Sequence, residues 1–479
     1  MNKLRFTSSA RWAWAPLLAA LVLAGCATTP AFEPLPAPTA PSKYKELDGR
    51  WLAGVPAETQ ARGAWWKAFA DPELDALIER ADQHNTSIQL AGARLAQARA
   101  LLRSADADRL PQLGLGAGAT RQTANPAFGT TAPGTLLNAG ASVSWEPDLF
   151  GRLAKASNAA ALDASSREAL LQSTRLLVQA DVAQTYFALR ALDAERALVR
   201  QTVAAYRDTL RLTERRYQAG DVAELDLARV RTEVASTEAQ ALALDRRRAE
   251  VEHALAVLAG ELPSSLAVNE VEWAGSPPQV PPGVPGTVLT RRPDVAAAQR
   301  AMQAAQLRVG VARAAWFPDV ALTASGGFAS TDLGDLFKWS ARAWGIGALL
   351  SLPVFDGGRR EAGVQNANAL WDAAAAGYRE QVLVAFQEVE NQLSALRLLA
   401  DQAGAQAQAV DAASRATVLS TSRYRNGYVS QLELLDARRS ELANRRLALQ
   451  VRAAQYQSKI ALIRALGGGW GGGTPTASS

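Results

Sequence analysis

The sequence repeats itself at an offset of 207 positions. Arg216-Tyr217-Gln218-Ala219-Gly220 recurs as Arg423-Tyr424-Arg425-Asn426-Gly427, Leu225 and Leu227 recur as Leu432 and Leu434, and Arg231 recurs as Arg438. Pro111 has its counterpart in Pro318 and Gly151-Arg152 in Gly358-Arg359, while Asn85 falls opposite Arg292 at the start of a helical run in each half. A constant offset over this span is the mark of duplication, and the period is far longer than a solenoid unit. The chain is thereby constrained to two large halves of one plan and near-equal length.

Each half has the same order. A helix (about Asn85 to Leu110; about Pro293 to Phe317) is ended by a proline, two strands follow, then a very long helix, a turn at a Tyr-x-x-Gly motif and another long helix. From Arg152 to Ala219 there is neither glycine nor proline in 68 residues, and a helix of that length reaches roughly 100 Å. Asp221 to Ala259 and Tyr428 to Leu466 are equally free of both residues, whereas Gly363, Gly377 and Gly404 interrupt the counterpart of the longest helix and predict local bends there. Apolar residues recur at three- and four-residue steps, as in Leu176, Val178, Val182, Tyr186, Leu189 and Leu192. That narrow stripe predicts a coiled-coil seam.

The strands carry the next constraint. Leu113, Leu115, Ala117 and Ala119 alternate with other residues, as do Ala141, Val143 and Trp145, then Val320, Leu322, Ala324, Gly326 and Phe328, and finally Trp344, Ile346, Ala348, Leu350 and Leu352. Alternation with period two marks one apolar face, and segments of about 10 residues suit an outer-membrane strand. The connections around Asn125 to Gly134 and Thr331 to Lys338 are glycine-rich and polar. Four strands cannot close a barrel, since the smallest single-chain membrane barrels have about eight, and an open edge cannot face lipid. Several chains must therefore share one barrel in closed cyclic symmetry; the strand count leaves two, three or four chains open.

The N-terminus fixes the compartment. Lys3, Arg5 and Arg11 precede or flank an apolar run from Trp12 to Leu23, the pattern of a secretory signal peptide. The run is shorter than the ~20 residues that span a bilayer. Leu23-Ala24-Gly25-Cys26 resembles the bacterial lipobox, which implies cleavage before Cys26 and acylation of it. Cys26 is the only cysteine, and an unpaired thiol is a liability in an oxidising compartment. Ala27 rather than aspartate in the next position implies, by the same resemblance, the outer membrane. Several acyl chains at ~0.8 kcal/mol per buried methylene hold a protein on a bilayer.

Composition excludes other classes. Removing the signal takes Lys3, Arg5 and Arg11 with it, so 51 basic residues fall to 48 against 46 acidic ones and the net charge is +2. Charge is interspersed, with no basic stripe of the kind that binds nucleic acid. His84 and His253 are the only histidines and lie far apart, so no cluster has metal-ligand spacing. There is no phosphate-binding G-x-x-x-x-G-K loop; Gly114-Leu115-Gly116-Ala117-Gly118 reads as strand. The carboxylates sit on charged helices as solvated faces. The sequence implies neither a catalytic site nor a cofactor.

Together these features resemble the TolC-like outer membrane efflux family, and within it the OprM/NodT type of lipoprotein. The resemblance rests on Cys26, Trp65-Trp66 with Asp71-Pro72-Glu73-Leu74, Arg291-Arg292-Pro293-Asp294-Val295, Trp145-Glu146-Pro147-Asp148-Leu149-Phe150-Gly151-Arg152, Leu352-Pro353-Val354-Phe355-Asp356-Gly357-Gly358-Arg359, and both Arg-Tyr-x-x-Gly turns. It implies an α+β fold: a homotrimer sharing a 12-stranded transmembrane β-barrel, four strands per chain, continuous with a periplasmic α-helical coiled-coil barrel. The expected division is a signal peptide (1–25), a lipid-anchored segment and equatorial wrap (26–70), a first efflux repeat (71–265), an equatorial linker (266–290), a second repeat (291–466) and a flexible tail (467–479). The implied role is a passive exit duct for drugs or other small toxic compounds. Its implied partners are a periplasmic adaptor, an inner-membrane pump of the resistance-nodulation-division type, and outer-membrane lipid. Alternatives are a metal-ion or polypeptide export duct, or a lipid-anchored coiled-coil spacer without a pore.

The tips of the helical hairpins are the expected gate. Gly220 and Gly427 supply the left-handed turn conformation whatever the function, and the resemblance adds adaptor docking. Family gate positions carry over onto Leu432, Glu433 and Asp436, and Arg423 and Tyr424 match residues that lock a closed tip; Arg216 and Tyr217 are their first-half counterparts. Glu433 and Asp436 share a helix face, and threefold symmetry makes rings of them that attract cations. Asp226 aligns with Glu433 but Arg229 aligns with Asp436, so the first tip neutralises itself by an i, i+3 pair. The second tip keeps two acids, with Arg439 as the candidate partner of Asp436. On the residues alone, a solvated charged face is the competing reading.

Overall fold

The computed structural model describes residues 44–46, 63–123, 133–273, 275, 277–278, 280 and 291–468. Cys26 and its signal peptide, most of the Asn125 to Gly134 connection, the end of the linker and nearly all of the tail lie outside the described residues. Among them, the helices are α1 (Pro72–His84), α2 (Thr86–Ala107), α3 (Arg152–Gln218), α4 (Glu224–Ala259), α5 (Pro293–Ala314), α6 (Arg359–Arg425) and α7 (Gln431–Ala465). The strands are β1 (Gln112–Gln122), β2 (Gly134–Trp145), β3 (Asp319–Ser330) and β4 (Arg342–Ser351). The chain divides into two compact units, one built from Ala96–Ser166 and Ala298–Arg379 among its described parts, the other from Pro38–Leu95, Arg167–Ala297 and Glu380–Ser479.

The first unit holds a four-stranded antiparallel sheet in the order β1-β2-β3-β4. Its register brings all four apolar sets to one face. Leu113, Leu115 and Ala117 pair with Val143, Ala141 and Ala139. These continue onto Ala324, Gly326 and Phe328, and thence onto Ile346, Trp344 and Arg342. Directly opposed residues of a ladder share a face, so the face is continuous across both halves of the chain. Leu115 is 86% exposed and Ile346 81%. The opposite face carries Gly114, Gly116, Gly118, Asn138, Ser142, Ser144, Thr323, Ser325, Gly345 and Gly347, with Leu136, Ala321, Ala329, Ala343 and Leu349 as apolar exceptions. β1 and β4 are the edges, and neither has a second partner strand among the described residues.

Two glycines on the polar face permit the close approach of β2 and β3. A Cβ on Gly327 would overlap the Ala139 carbonyl oxygen and the Gly140 Cα, and one on Gly140 would lie 2.8 Å from the Gly326 carbonyl oxygen. In the same unit the chain turns from strand to helix through carboxylate caps. Asp148 accepts from the Leu153 and Ala154 amides at 3.1 and 2.7 Å, while Arg152 bonds Glu146 at 2.7 Å. Arg308 pairs with Asp163, joining α5 to α3.

In the second unit the duplication holds at the level of single contacts. Asn85 Nδ2 donates to the Leu258 carbonyl at 2.9 Å, and Arg292 Nη1 donates to the Ala465 carbonyl at 3.3 Å. The two donors are one repeat apart, and so are the two acceptors. Gly260 (φ +78°) presses on the His84 carbonyl as Gly467 (φ +88°) presses on that of Arg291, again one repeat apart, leaving no room for a Cβ. The side chains diverge where the backbone does not. Asn85 is neutral, whereas the buried Arg292 also pairs with Asp294 at 2.6 Å and Glu388 at 2.5 Å. Burial alone would raise the Asp294 pKa, but the bonded Arg292 guanidinium holds it below the usual aspartate range.

Three features depart from expectation. The helix α1 precedes the first expected helix; Asp71 caps it by accepting from the Glu73 and Leu74 amides, with Pro72 at its first position. It buries Leu74, Leu77, Ile78 and Ala81 completely. Next, α6 runs through Gly363, Gly377 and Gly404 without a break and matches α3 at 67 residues, because each glycine costs only about 1 kcal/mol in a helix interior. Finally, the seam of α3 is narrow only towards its C-terminal end, where Val199, Val203, Tyr206, Thr209 and Thr213 are buried at steps of four, three, three and four. Between Val178 and Arg196 burial spreads around the helix and takes in Arg190, Asp193 and Arg196. There Arg190 bonds Glu73 of α1 and the Asn269 carbonyl of the linker, each at 2.5 Å, and Arg248 reaches the Val268 carbonyl at 2.6 Å. Phe69, Phe187, Trp273 and Tyr456 pack beside them, with ring centroids 4.5 to 6.1 Å apart.

Gly327→Ala abolishes or strongly destabilises the sheet in thermal unfolding followed by β-sheet circular dichroism, whereas Gly116→Ala, whose Cβ meets nothing within 4 Å, leaves the transition in place. Arg292→Asn recreates the first-half residue but removes the counter-ion of Asp294, while Glu388 keeps Arg464 at 3.3 Å, at a cost of about 3–5 kcal/mol near neutral pH. Because the Asp294 pKa is lowered in the fold, its contribution is present above the unfolded value of ~3.9 and is lost as pH falls through the folded one. The gap between wild type and Arg292→Asn therefore narrows on acidification, as denaturant titrations at pH 7 and below pH 4 will show.

Candidate functional site

Both hairpins turn on the same hydrogen-bond pattern. The Asp221 amide donates to the Arg216 carbonyl and the Gly220 amide to that of Tyr217; one repeat later Tyr428 donates to Arg423 and Gly427 to Tyr424, all at 2.8 to 3.1 Å. This six-to-one and five-to-two pair is the Schellman cap, which requires a left-handed residue between its two donors. Gly220 and Gly427 supply it at φ +79° and +77°. The Tyr-x-x-Gly spacing is thus the spacing of a cap, with the tyrosine carbonyl as an acceptor.

The side chains at the two turns are used differently. Tyr217 is 41% exposed, whereas Tyr424 is 6% exposed and lies under the Arg216 guanidinium, 5.1 Å from the ring centroid. A cation over an aromatic ring is worth about 0.5–2 kcal/mol, more as it is desolvated. Arg216 and Tyr424, one from each hairpin, are therefore in contact, whereas Arg423 is exposed. The return helices also start differently. Ser430 caps α7 by accepting from the Glu433 amide at 3.4 Å, while Ala223, its counterpart, caps α4 with no side chain. Glu433 has the place of the acid in a Ser-x-x-Glu capping box, a structural role that stands whatever else it does.

The first two turns of α7 separate into two faces. Gln431, Leu434 and Leu435 are buried; Gln431 Nε2 donates to Thr213 Oγ1 at 3.1 Å, and Leu435 packs with Tyr206, Val230 and Val234 of the other hairpin. Leu432, Glu433 and Asp436 are exposed on the other face, where Asp436 neighbours Leu432 at a spacing of four and Glu433 at a spacing of three. Asp226 and Arg229 of the first tip pair at 3.6 Å. Asp436 reaches Arg439 at 3.5 Å, but Arg439 also pairs more closely with Glu233 of α4. That bond is the main reason the Arg439 pKa is raised.

Sequence reasoning missed the clasp one turn further on. Arg438 donates to the Ala205 carbonyl at 3.0 Å and to Thr209 Oγ1 at 2.7 Å, with its guanidinium 6.0 Å from the Tyr206 ring centroid. Burial lowers the Arg438 pKa, since its hydrogen-bond acceptors are neutral. Burial, then Glu233, pushes the Tyr206 hydroxyl up to about 12. The Arg438-Arg439 doublet was visible in the sequence, but its partners lie in the other half of the chain and share no local pattern with it.

The family model described as outer membrane efflux protein matches residues 77–261 and 284–468, two segments displaced from each other by one repeat length at both ends. The solvent efflux pump outer membrane protein SrpC of Pseudomonas putida is 32% identical over 462 residues, covering 95% of this chain and 98% of its own. The cation efflux system protein CusC of Escherichia coli is 31% identical, with 95% and 98% covered. Among solved structures, the outer-membrane channel OprN superimposes with a TM-score of 0.84 at 30% identity, covering 91% of this chain and 99% of that one. The sheet, the paired hairpins and both matched repeats agree: the chain belongs to the outer membrane efflux protein family.

Proposed function

We propose that the chain is the outer-membrane exit duct of a tripartite efflux system. Three copies share one barrel of twelve strands, and the hairpin tips meet a periplasmic adaptor that links the duct to an inner-membrane pump. The sheet carries this reading: one face is mainly apolar, with Arg121 and Arg342 at the end away from the helices, the other is lined mainly by glycine, alanine, serine, threonine and asparagine, and both edges are unpaired among the described residues. A strand pair that buries its apolar side in lipid and lines water with its small polar side is the signature of a porin-like wall. The small side chains of the inner face suit a passive duct. By likeness to SrpC its cargo is a solvent-like or drug-like toxic molecule. The likeness to CusC supports metal cations as a second reading, towards which two methionines and two histidines contribute little.

The gate is assigned to the tips. Leu432, Glu433 and Asp436 form the constriction, repeated threefold about the axis. Arg216 and Tyr424 hold the two tips together, Tyr217, Arg423 and Asp226 stand beside them at the gate, and the Gly220 and Gly427 turns present the adaptor-facing surface. The second hairpin contributes most of the negative charge, because Asp226 is neutralised by Arg229 whereas Glu433 has no ion-pair partner among the described residues. Lipid is attached at Cys26 and serves as an auxiliary anchor beside the barrel.

Reconstitution in planar bilayers tests the duct: the purified protein forms discrete channels, and a bilayer that stays silent refutes the reading in favour of a pore-free spacer. In the same recordings Glu433→Gln combined with Asp436→Asn lowers the cation-to-anion permeability ratio by about twofold or more; an unchanged ratio removes these residues from the gate. Cys26→Ala behind a plain cleavable signal still assembles and conducts, as electrophoresis of outer-membrane fractions and bilayer recording will establish.

A further inference from the structure

The apolar face of the sheet is not uniformly filled. Ala117, Ala139, Ala141 and Gly326 leave an open groove of about 510 Å³, framed by Leu115, Phe328 and Phe337. Phe337 comes from the connection between β3 and β4 and folds back onto Phe328, with ring centroids 5.7 Å apart. A flat lipid-facing wall needs no such recess, since bulky apolar side chains would serve lipid equally well.

A cation stands at one end of the groove. Arg342 is directly opposite Phe328 in the ladder and therefore on the same face. Its guanidinium lies 4.5 Å from the ring centroid of Trp339, which is 76% exposed. Arg342 has no carboxylate within ion-pair distance among the described residues. An arginine on a lipid-facing position costs about 2–4 kcal/mol at the bilayer midplane and little near the interface, so Arg342 belongs at headgroup level. Its place at the start of β4, in the end of the sheet remote from the helices, puts it in the outer leaflet. Arg121 shares the apolar face, since it pairs with Thr135 two rungs beyond Ala119 and Leu137. It sits at the same end of β1, the other edge strand, so closing the barrel by joining β4 of one copy to β1 of the next brings a second guanidinium to that seam.

We propose that this groove is a binding site for a phosphorylated glycolipid of the outer leaflet, with one acyl chain in the alanine-lined recess and a phosphate on Arg342 and on Arg121 of the neighbouring copy. The inference rests on the shared-barrel reading, which supplies both the leaflet and the second arginine. An apolar slot fits a chain, and a planar guanidinium fits phosphate by paired charge-assisted hydrogen bonds. Trp339 holds one face of Arg342 and leaves its edge free to donate.

Native mass spectrometry of the purified, detergent-exchanged full-length protein tests it with three probes: diphosphoryl hexa-acyl lipid A, the same lipid stripped of both phosphates, and phosphatidylglycerol. The wild type retains diphosphoryl lipid A at a stoichiometry of one per chain and prefers it to either other probe by on the order of tenfold, one such factor being about 1.4 kcal/mol. Arg342→Gln with Arg121→Gln removes the preference for phosphate, and Ala139→Leu, which fills the recess, weakens all binding while keeping the preference. Equal retention of lipid A by the double variant, equal binding of phosphatidylglycerol by the wild type, or no effect of Ala139→Leu overturns the proposal. Variants are compared only as intact oligomers, whose mass the same spectra report. Wild-type conductance separates the two levels of inference: channels without selective lipid retention refute the glycolipid site alone, whereas absence of channels and of a trimer refutes the shared barrel beneath it.

Discussion

The backbone of β1 and β4 governs the rest of the molecule. Each of these edge strands turns about half of its amides and carbonyls away from its single partner. In water these groups are hydrated. In hydrocarbon each unsatisfied one costs several kcal/mol, so two bare edges cost tens of kcal/mol, more than the whole stability of an ordinary domain. No arrangement of side chains within one chain repairs this. The edges must find the edges of other copies, and the apolar face can enter lipid only once they have. Oligomerisation is thus a condition of insertion.

The duplication shows which features of a repeat are held by backbone geometry and which are free. Capping glycines, their positive φ angles and the carbonyls they touch recur at the same offset in both halves, because a Cβ at Gly260 or Gly467 has nowhere to go. Side chains around these fixed points have diverged: Asn85 against the charged Arg292, Ala223 against Ser430, exposed Tyr217 against buried Tyr424. β2 and β3 belong to different halves yet form one continuous ladder, so the sheet is where the two repeats are joined edge to edge.

Much of this was legible in the sequence for identifiable physical reasons. Period-two alternation specified the apolar face of each strand, and since a slip of one residue would turn a strand inside out, it also fixed the parity of the register that unites the four sets, though not the register itself. The two hairpin turns were legible because a Schellman cap has a fixed spacing. The helix α1 was overlooked although Asp71-Pro72 is a start signal, because His84 and Asn85 run on into the next helix with no glycine or proline between. The broad burial of α3 between Val178 and Arg196 was hidden because its partners are charged. Arg190, Asp193 and Arg196 read as a solvated face until their partners are seen: Glu73 and the Asn269 carbonyl for Arg190, Arg248 for Asp193, and Asp245 and Glu270 for Arg196. Polar burial of this kind depends on segments distant in sequence, and periodicity carries no trace of it.

The energetics at the second tip separate what holds it from what orients it. The Asp436–Arg439 pair is exposed at both partners, and such pairs contribute at most about 1 kcal/mol. Leu434 and Leu435 are almost wholly buried, and burying a side chain of that size contributes about 1.5–3 kcal/mol each. Cohesion between the hairpins is therefore mainly apolar, through Leu435 against Tyr206, Val230 and Val234. Apolar contact is tolerant of sliding, whereas the bonds from Arg438 to Ala205 and Thr209, from Gln431 to Thr213 and from Arg439 to Glu233 are met at one position only. A displacement of the second tip along the seam would keep most of the apolar burial and give up these directional bonds together with the Arg216–Tyr424 contact. Separation of the hairpins would give up both. Any movement between states of the tip is thus cheapest along the helix axes, and the buried polar groups, rather than the exposed acids, set the position from which it starts.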